Sequence, residues 1–363
     1  MRKLRVGIIF GGRSAEHEVS LQSARNVLDA LDLSRFEPIL IGIDKTGHWH
    51  LNDTSDFLIN QENPALIALN QSNRELAVVP GKLSQQLVET SSQTSLEHVD
   101  IIFPIVHGTL GEDGCLQGLM RMADLPFVGS DVLGSAICMD KDISKRLLRD
   151  AGLAVIPFIT LNRRSFSQTN FEQAKQTLGL PMFVKPANQG SSVGVSKVDD
   201  EAQYHAAVEL AFRFDDKILV ESAVKGREIE CAVLGNDNPI ASGCGEIVVR
   251  EGYYSYESKY IDDNAAQVVV PADISLEISE HIRVLAIEAF KVLCCSGLAR
   301  VDVFLTADGQ VLINEINSLP GFTRNSMYPK LWQAVGMSYS ELVTKLLELA
   351  MERHEERKRL KFS

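Results

Sequence analysis

Between Leu298 and Phe322, two runs of alternating apolar residues are joined by Asp308-Gly309 and end at Pro320-Gly321, a pattern that reads as a β-hairpin. No other stretch restricts the fold as tightly. Side chains alternate faces along a strand, so Arg300 and Asp302 share one face and Glu315 and Asn317 share one face of the next strand. A two-residue Asp-Gly turn sets Asp302 opposite Glu315 and Arg300 opposite Asn317, with facing Cβ atoms roughly 4.5–5.5 Å apart. Two carboxylates directly opposed destabilise a sheet unless a cation lies between them. Two readings stay open at this point. One is a divalent-cation site, because two carboxylates and an amide oxygen are hard ligands suited to magnesium, which binds through few protein groups plus substrate phosphates. The other is a structural network in which Arg300 neutralises its neighbours.

A chain of 363 residues, 45% of them hydrophobic, exceeds the size at which one core stops growing, so two or three domains are expected. The formal net charge of -12 argues against nucleic acid or an anionic membrane as partner, since both need a basic face. Met1-Arg2-Lys3-Leu4 leads straight into a strand-like run with no signal-peptide pattern, and no transmembrane stretch is visible. The six cysteines, Cys115, Cys138, Cys231, Cys244, Cys294 and Cys295, lie in apolar surroundings without metal-like spacing, as buried thiols of a reducing compartment do. A cytoplasmic location is the expectation.

Leu4 to Phe10 is apolar, Gly11-Gly12 breaks it, and Val19, Ala24, Val27, Leu28 and Leu31 follow at helical spacing. With strands at Pro38-Ile43 and Asp100-Val106 and helices at Leu116-Ala123 and Ile143-Ala151, this rhythm predicts an α/β domain with an open parallel sheet. The polar stretch Asn52-Glu97 reads as an edge elaboration with loops. After Gly152 a smaller α+β unit is expected, with helices at Phe171-Leu178 and Glu201-Phe212 and strands at Met182-Lys185 and Ile218-Glu221. Strands at Glu228-Leu234 and Cys244-Val249, a polar loop at Arg250-Ala266 and a helix at Ile274-Cys294 precede the hairpin. The helix from Tyr339 to about Arg357 carries a Leu342, Val343, Leu346 and Leu349 stripe that reads as core packing.

Chemistry-bearing residues cluster in four further places. Lys185 ends a strand before Pro186-Ala187-Asn188-Gln189-Gly190-Ser191-Ser192-Val193-Gly194-Val195, a loop whose N–H groups could close over phosphates, or a plain flexible connection. It is not a Walker loop, and Gly11-Gly12 lacks the dinucleotide fingerprint. Lys141 opens a helix, where a cation opposes the helix dipole unless an anion lies nearby; a phosphate and simple solvation are both open. Glu221 and Glu228 are spaced to hold an adenine edge and a ribose, with surface carboxylates as the bland alternative. His107, in His107-Gly108-Thr109-Leu110-Gly111-Glu112-Asp113-Gly114, and Glu16-His17 fall at the carboxyl edge of the parallel sheet, where such folds bind ligands. Turn and capping chemistry competes for both loops.

Taken together, these residues resemble the D-alanine:D-alanine ligases of the ATP-grasp superfamily. The resemblance runs through Gly11-Gly12 with Ser14 to Ser20, His107 to Gly114, Lys185 to Val195, Lys259-Tyr260, Arg300-Val301-Asp302 and Asn314 to Gly321. It implies an ATP-grasp architecture of α/β and α+β units: an N-terminal substrate domain at 1–138, a central ATP-grasp subdomain at 139–224, and a C-terminal subdomain at 225–363 carrying the metal site and a lid. It further implies ATP held by Lys141, Lys185, Ser191, Ser192, Lys259 and Asn314. The adenine would lie against Glu221, Ser222, Ala223, Val224, Tyr253 and Phe304, and the ribose against Glu228. Ala223 is small for that wall. Asp302, Glu315 and Asn317 match the family's ligands for two Mg2+, with Mn2+ as a substitute, and Glu315 bridges the ions.

The implied reaction phosphorylates one D-alanine carboxylate and lets the amine of a second attack the acyl phosphate. Lysines and ions neutralise the transferring phosphoryl group, and the 250–266 lid with the Gly190-Ser191-Ser192 loop excludes water. Glu16 would hold the first ammonium, supported by Ser191 and Tyr260. Ser326 and Met327 would meet the second carboxylate, Arg300 and the Gly321 N–H the oxyanion, and His107 would orient substrate or manage a proton. Tyr260 favours the dipeptide over D-alanyl-D-lactate. A homodimer is the family expectation. The alternatives are a ligase using D-lactate or another acceptor, and a nucleotide-binding regulator without turnover.

Overall fold

The structure, a computed structural model, describes residues 2–361 apart from 62, 64, 65, 82–85, 91, 93, 96, 97, 165–169 and 250–265. Three larger sheets organise the chain. In the first, Leu4–Gly11 pairs in parallel with both Phe36–Ile43 and Ile101–Pro104, and Trp49–Asn52 adds an antiparallel edge. Its strands read as continuous apolar runs because both faces are covered. Val6, Ile8 and Phe10 pack toward the helix His17–Ala30, whereas Ile9, Ile41 and Ile43 share a core with Leu116 and Met120 of the helix Cys115–Met122. After Asn52, Leu58–Ile59 pairs with Ala68–Leu69, and Leu76–Val78, Leu87–Glu89 and Thr94–Ser95 form a second small antiparallel sheet, the edge elaboration expected of this polar composition.

The second sheet is antiparallel, in the order Phe158–Asn162, Lys217–Ser222, Met182–Pro186, Ser196–Val198. Helices Phe171–Leu178 and Glu201–Ala211 start at Asn170 and Asp200, whose side chains accept from Gln173 N and Gln203 N. Both helices bury their apolar stripes, Phe171 and Ala174 with Tyr204 and Val208, against this sheet.

The third sheet runs Ala266–Val269, Ile240–Val249, Gly226–Gly235, Gly297–Thr306, Val311–Asn317. Leu276–Val292 covers one face. Met327–Ala334 and Tyr339–Lys358 cover the other, where the core runs on into that of the first sheet through Phe322 and Tyr328. The leucine stripe of the last helix is buried there, as its spacing predicted. Helices Val132–Met139 and Met327–Ala334 were not anticipated; each is a short, largely apolar segment of eight residues with little periodicity to read. Four cysteines are buried, but Cys115 and Cys294 are exposed, which corrects the expectation of six buried thiols. Among the described residues no helix is long and apolar enough to cross a membrane.

Candidate active site

The hairpin has the predicted cross-strand pairs, Arg300 with Asn317 and Asp302 with Glu315. It reaches them by a different route. The connection is a three-residue loop closed by Thr306 N donating to Gln310 O at 2.9 Å, with Gly309 at φ +82°, not a two-residue turn. This shifts the register by one, so that Val303 pairs with Ile313, and a bulge at Asn314 shifts it back before Glu315. Asn314 thereby joins Glu315 at the cleft, and its Oδ1 is buried with no hydrogen-bond partner among the described residues.

Across the other side of the same strand, Glu230 is the register partner of Asp302. Three carboxylates, Glu230, Asp302 and Glu315, therefore stand in a row over three adjacent strands. Cations answer them. The Arg300 guanidinium grips Asp302 at 2.7 and 2.6 Å and lies 2.9 Å from Glu230, while Lys141 Nζ lies 3.6 Å from Glu315. Burial works against the Arg300 charge, but Asp302 and Glu230 outweigh it and hold the guanidinium firmly protonated. Asn317 Nδ2 donates to Asp302 at 2.9 Å.

This face forms one wall of a cleft with the second sheet. Lys141, Lys185, Ser191, Ser192, Glu221, Ser222 and Val224 line it together with Glu228, Arg300, Asp302, Phe304, Asn314 and Glu315. Lys141 is the first residue of the helix Lys141–Asp150, and Asp140 caps that helix. The anion its position called for is Glu315, and its Nζ also donates to Gln189 O at 2.7 Å. Glu221 is buried between Lys145 at 3.0 Å and Lys185 at 2.5 Å. Burial raises its pKa, yet the two ammonium groups overcome that and hold it below the usual range; burial also pushes Lys145 down to about 8. Ser222 Oγ donates to Leu178 O, and Ala223 N to Pro181 O, so those two groups are engaged by the end of the helix Phe171–Leu178 and the turn that follows it.

At the carboxyl edge of the first sheet, Ser191 Oγ donates to Glu16. Backbone crowds that carboxylate: a Cβ on Gly108 would lie 2.7 Å from Glu16 Oε2, and one on Gly190 2.9 Å. Ser191 and Ser192 take left-handed φ values of +50° and +60° to bring the loop there. His107 is buried, with Nδ1 3.3 Å from Glu112 and Nε2 3.1 Å from Ser23 Oγ. Burial lowers its pKa, but the Glu112 hydrogen bond and the Glu112 and Glu16 charges raise it above the ordinary histidine value. Ser23 Oγ accepts from Phe322 N at 3.2 Å, which ties His107 to the Gly321 loop. Ser326 stands at the N-cap position of the helix that begins at Met327, but its Oγ turns back to accept from Thr323 N at 2.9 Å, and a Cβ on Gly321 would lie 2.8 Å from that oxygen.

The sequence reading missed Glu230, Lys145, Glu112 and Ser23. Glu230 was legible, since it follows Glu228 by two along a strand. Tyr253, Lys259 and Tyr260 lie outside the described residues. Among the described residues no three His, Cys, Asp or Glu side chains close around a point as a metal cage. Asp302, Glu315 and Asn317 nevertheless fit magnesium by the chemistry of their hard oxygens, with the orphaned Asn314 Oδ1 beside them.

The chain matches the family described as D-ala D-ala ligase N-terminus over residues 5–130 and D-ala D-ala ligase C-terminus over 147–348. It is 64% identical over 354 residues to D-alanine–D-alanine ligase A of Salmonella typhimurium, covering 98% of this chain and 97% of that one. Identity to the D-alanine–D-alanine ligase of Shouchella clausii is 60% over 363 residues, covering 100% and 99%. Among solved structures, the D-alanine–D-alanine ligase of Coxiella burnetii superposes with TM-score 0.86 at 37% identity, covering 99% and 97%. A D-Ala:D-Ser ligase of Enterococcus faecalis follows at TM-score 0.85 and 36% identity, covering 96% and 100%. The expected ATP-grasp architecture of α/β and α+β units is the one observed, and the chain belongs to the D-alanine–D-alanine ligase family.

Proposed function

We propose that this chain joins two D-alanines into D-alanyl-D-alanine for the bacterial cell wall, with ATP as cosubstrate and D-alanyl phosphate as intermediate. The observation that carries this reading is the cleft itself. It gathers Lys185, Arg300, Asp302 and Glu315 from two sheets and Lys141 from the start of a helix, while Ser191 at its mouth reaches Glu16 just before the helix His17–Ala30. In this reading Lys141 and Lys185 hold the phosphates, Glu221 to Val224 with Phe304 hold the adenine, and Glu228 holds the ribose. Asp302, Glu315 and Asn317 would hold two Mg2+ or Mn2+, which when bound neutralise charge on the transferring phosphoryl group. Glu16 takes the first ammonium with Ser191 behind it. Arg300 and the Gly321 N–H stabilise the tetrahedral oxyanion, Ser326 and Met327 N–H meet the second carboxylate, and His107 orients substrate or manages a proton.

The carboxylate to be activated is a poor electrophile, and the residues answer with positioning and charge, not covalent chemistry. The division at 138/139 and 224/225 belongs to the proposal, supported by the second sheet's separate core with helices Phe171–Leu178 and Glu201–Ala211, although Leu148 of helix Lys141–Asp150 packs in the core of the third sheet. So does a cytoplasmic homodimer, which family membership supports; a monomer in sedimentation equilibrium would remove the dimer.

The test is phosphate release from ATP and Mg2+ with D-alanine, L-alanine, D-alanine plus D-lactate, or D-alanine plus D-serine, products being resolved by mass. D-Alanine alone should trigger release and yield the dipeptide. ATP binding without release under any acceptor would move a nucleotide-binding regulator to the front, and a mixed product would favour the other-acceptor ligase. Glu315→Gln should lower turnover by orders of magnitude while the circular dichroism spectrum stays unchanged. Parent-like turnover at saturating Mg2+ would end the assignment of Glu315.

A further inference from the structure

Glu230 has no part in the reaction just described, yet it is buried at the centre of the cleft wall. Alternation along Gly226–Gly235 sets it on the face of Glu228, and its register partner across the strand is Asp302. Its Oε2 lies 2.9 Å from Arg300 Nε, and that same Nε donates to Asp302 Oδ1 at 2.7 Å while the terminal nitrogen donates to Oδ2 at 2.6 Å. One guanidinium is shared between two carboxylates that face each other across adjacent strands.

This arrangement matters when Asp302 has to bind something else. The two-pronged contact occupies a lone pair on each Asp302 oxygen, and Asn317 Nδ2 takes a second on Oδ2, so a divalent cation on Asp302 competes with Arg300 for that carboxylate. Without Glu230, a half-buried guanidinium drawn away from Asp302 would lose its contacting carboxylates, an unfavourable state. With Glu230 in place, Arg300 keeps one anionic partner throughout and stays over the cleft.

We infer that Glu230 is a positioning residue that retains Arg300 when Asp302 is given up to a divalent cation. The inference rests on the proposed metal-dependent reading of Asp302. It separates two jobs that three neighbouring carboxylates could otherwise share: Asp302 and Glu315 face the cation, and Glu230 faces the arginine. The rival assignment makes Glu230 a direct cation ligand.

The two are distinguished by a double-mutant cycle on Mn2+ binding, read from the electron paramagnetic resonance signal of free Mn2+ in the presence of ADP. Glu230→Gln should weaken Mn2+ binding about tenfold in the parent, because Arg300 then competes for Asp302. In an Arg300→Gln background the same change should cost less than about twofold. An equal loss in both backgrounds would make Glu230 a direct ligand and overturn the inference, as would no loss in either. Where Arg300→Gln does not fold, Arg300→Met carries the same comparison, since it keeps an apolar stem and removes the charge that would compete for Asp302. At saturating Mg2+, Glu230→Gln should lower kcat about tenfold with the KM for ATP within about threefold; an unchanged kcat would equally sink the idea. Asp302→Asn binding Mn2+ as tightly as the parent would overturn the metal reading itself, a result that does not involve Glu230 and is recognised separately.

Discussion

Asp44 accepts hydrogen bonds from the N–H groups of Thr46, Gly47 and His48 at 2.8, 2.9 and 3.0 Å, from Thr46 Oγ1 at 2.6 Å, and lies 3.2 Å from His50 Nε2. Burial raises its pKa, but these donors together hold the carboxyl well below its ordinary range. The sign follows from linkage. A carboxyl whose pKa is depressed by folding contributes stability that is present above its unfolded value near 4 and is lost as pH falls through the folded one. Asp44→Asn should therefore cost about 1–3 kcal/mol at pH 7, with the gap in thermal midpoint between parent and variant narrowing below pH 4. A gap independent of pH would mean that geometry, not charge, sets the contribution. No motif in the sequence singled out Asp44. Lys145 was equally silent: it lies one helical turn beyond Lys141, and only the fold brings Glu221 within 3.0 Å of it. Glu16, Lys185 and Glu315, by contrast, were legible because each sits at a strand end or on a strand face beside a turn, where local pattern and position in the fold coincide.

The hairpin is the element on which local pattern succeeded for partly mistaken reasons. Counting outward from a two-residue turn gives Asp302 opposite Glu315, and the protein arrives there through a three-residue turn and a compensating bulge. Side-chain alternation cannot reveal such a pair of offsets, since each alone reverses the faces and both together restore them. The compensation makes a specific prediction about deletions. Removing Asn314 should leave Ile313 inward and Glu315 outward in a regular ladder, so the fold should survive with a loss of about 1–2 kcal/mol. Removing Ile316 turns Asn317 inward and should prevent folding. Circular dichroism and thermal melts of the two deletions decide the matter, and loss of folding in the Asn314 deletion would show that the bulge is needed for more than register. Helices were the easier elements to read where a cap and a periodic stripe agreed, as in Phe171–Leu178.

At the scale of the whole molecule, the first and third sheets share a core and the second sheet keeps its own. Phe322 is the joint. It is fully buried, packs edge-on against Phe103 at 5.8 Å and Tyr339 at 6.0 Å, and its carbonyl accepts from Asn26 Nδ2 at 3.1 Å and Tyr339 OH at 2.6 Å. Arg353 of the last helix adds a second strut, donating to Phe127 O at 2.8 Å and to Gly129 O and Ser296 Oγ. Phe103 and Asn26 lie more than 200 residues from Phe322, and Phe127 and Gly129 more than 200 from Arg353, so no local pattern could announce these contacts, and the sequence left the C-terminal helices without an address. The arrangement predicts how the molecule opens. Phe322→Ala should cost about 3–5 kcal/mol, and hydrogen exchange followed by mass spectrometry should quicken together in Leu4–Gly11 and Gly297–Thr306 while Met182–Pro186 keeps its protection. Val184→Ala, in the core of the second sheet, should do the reverse. The reason is that a cavity weakens most the unit whose core it opens, and units with separate cores open separately. Exchange that rises evenly over all three sheets in both variants would mean that the cleft couples them as strongly as the shared core does, and ligand closure could then not be a motion of the second sheet alone.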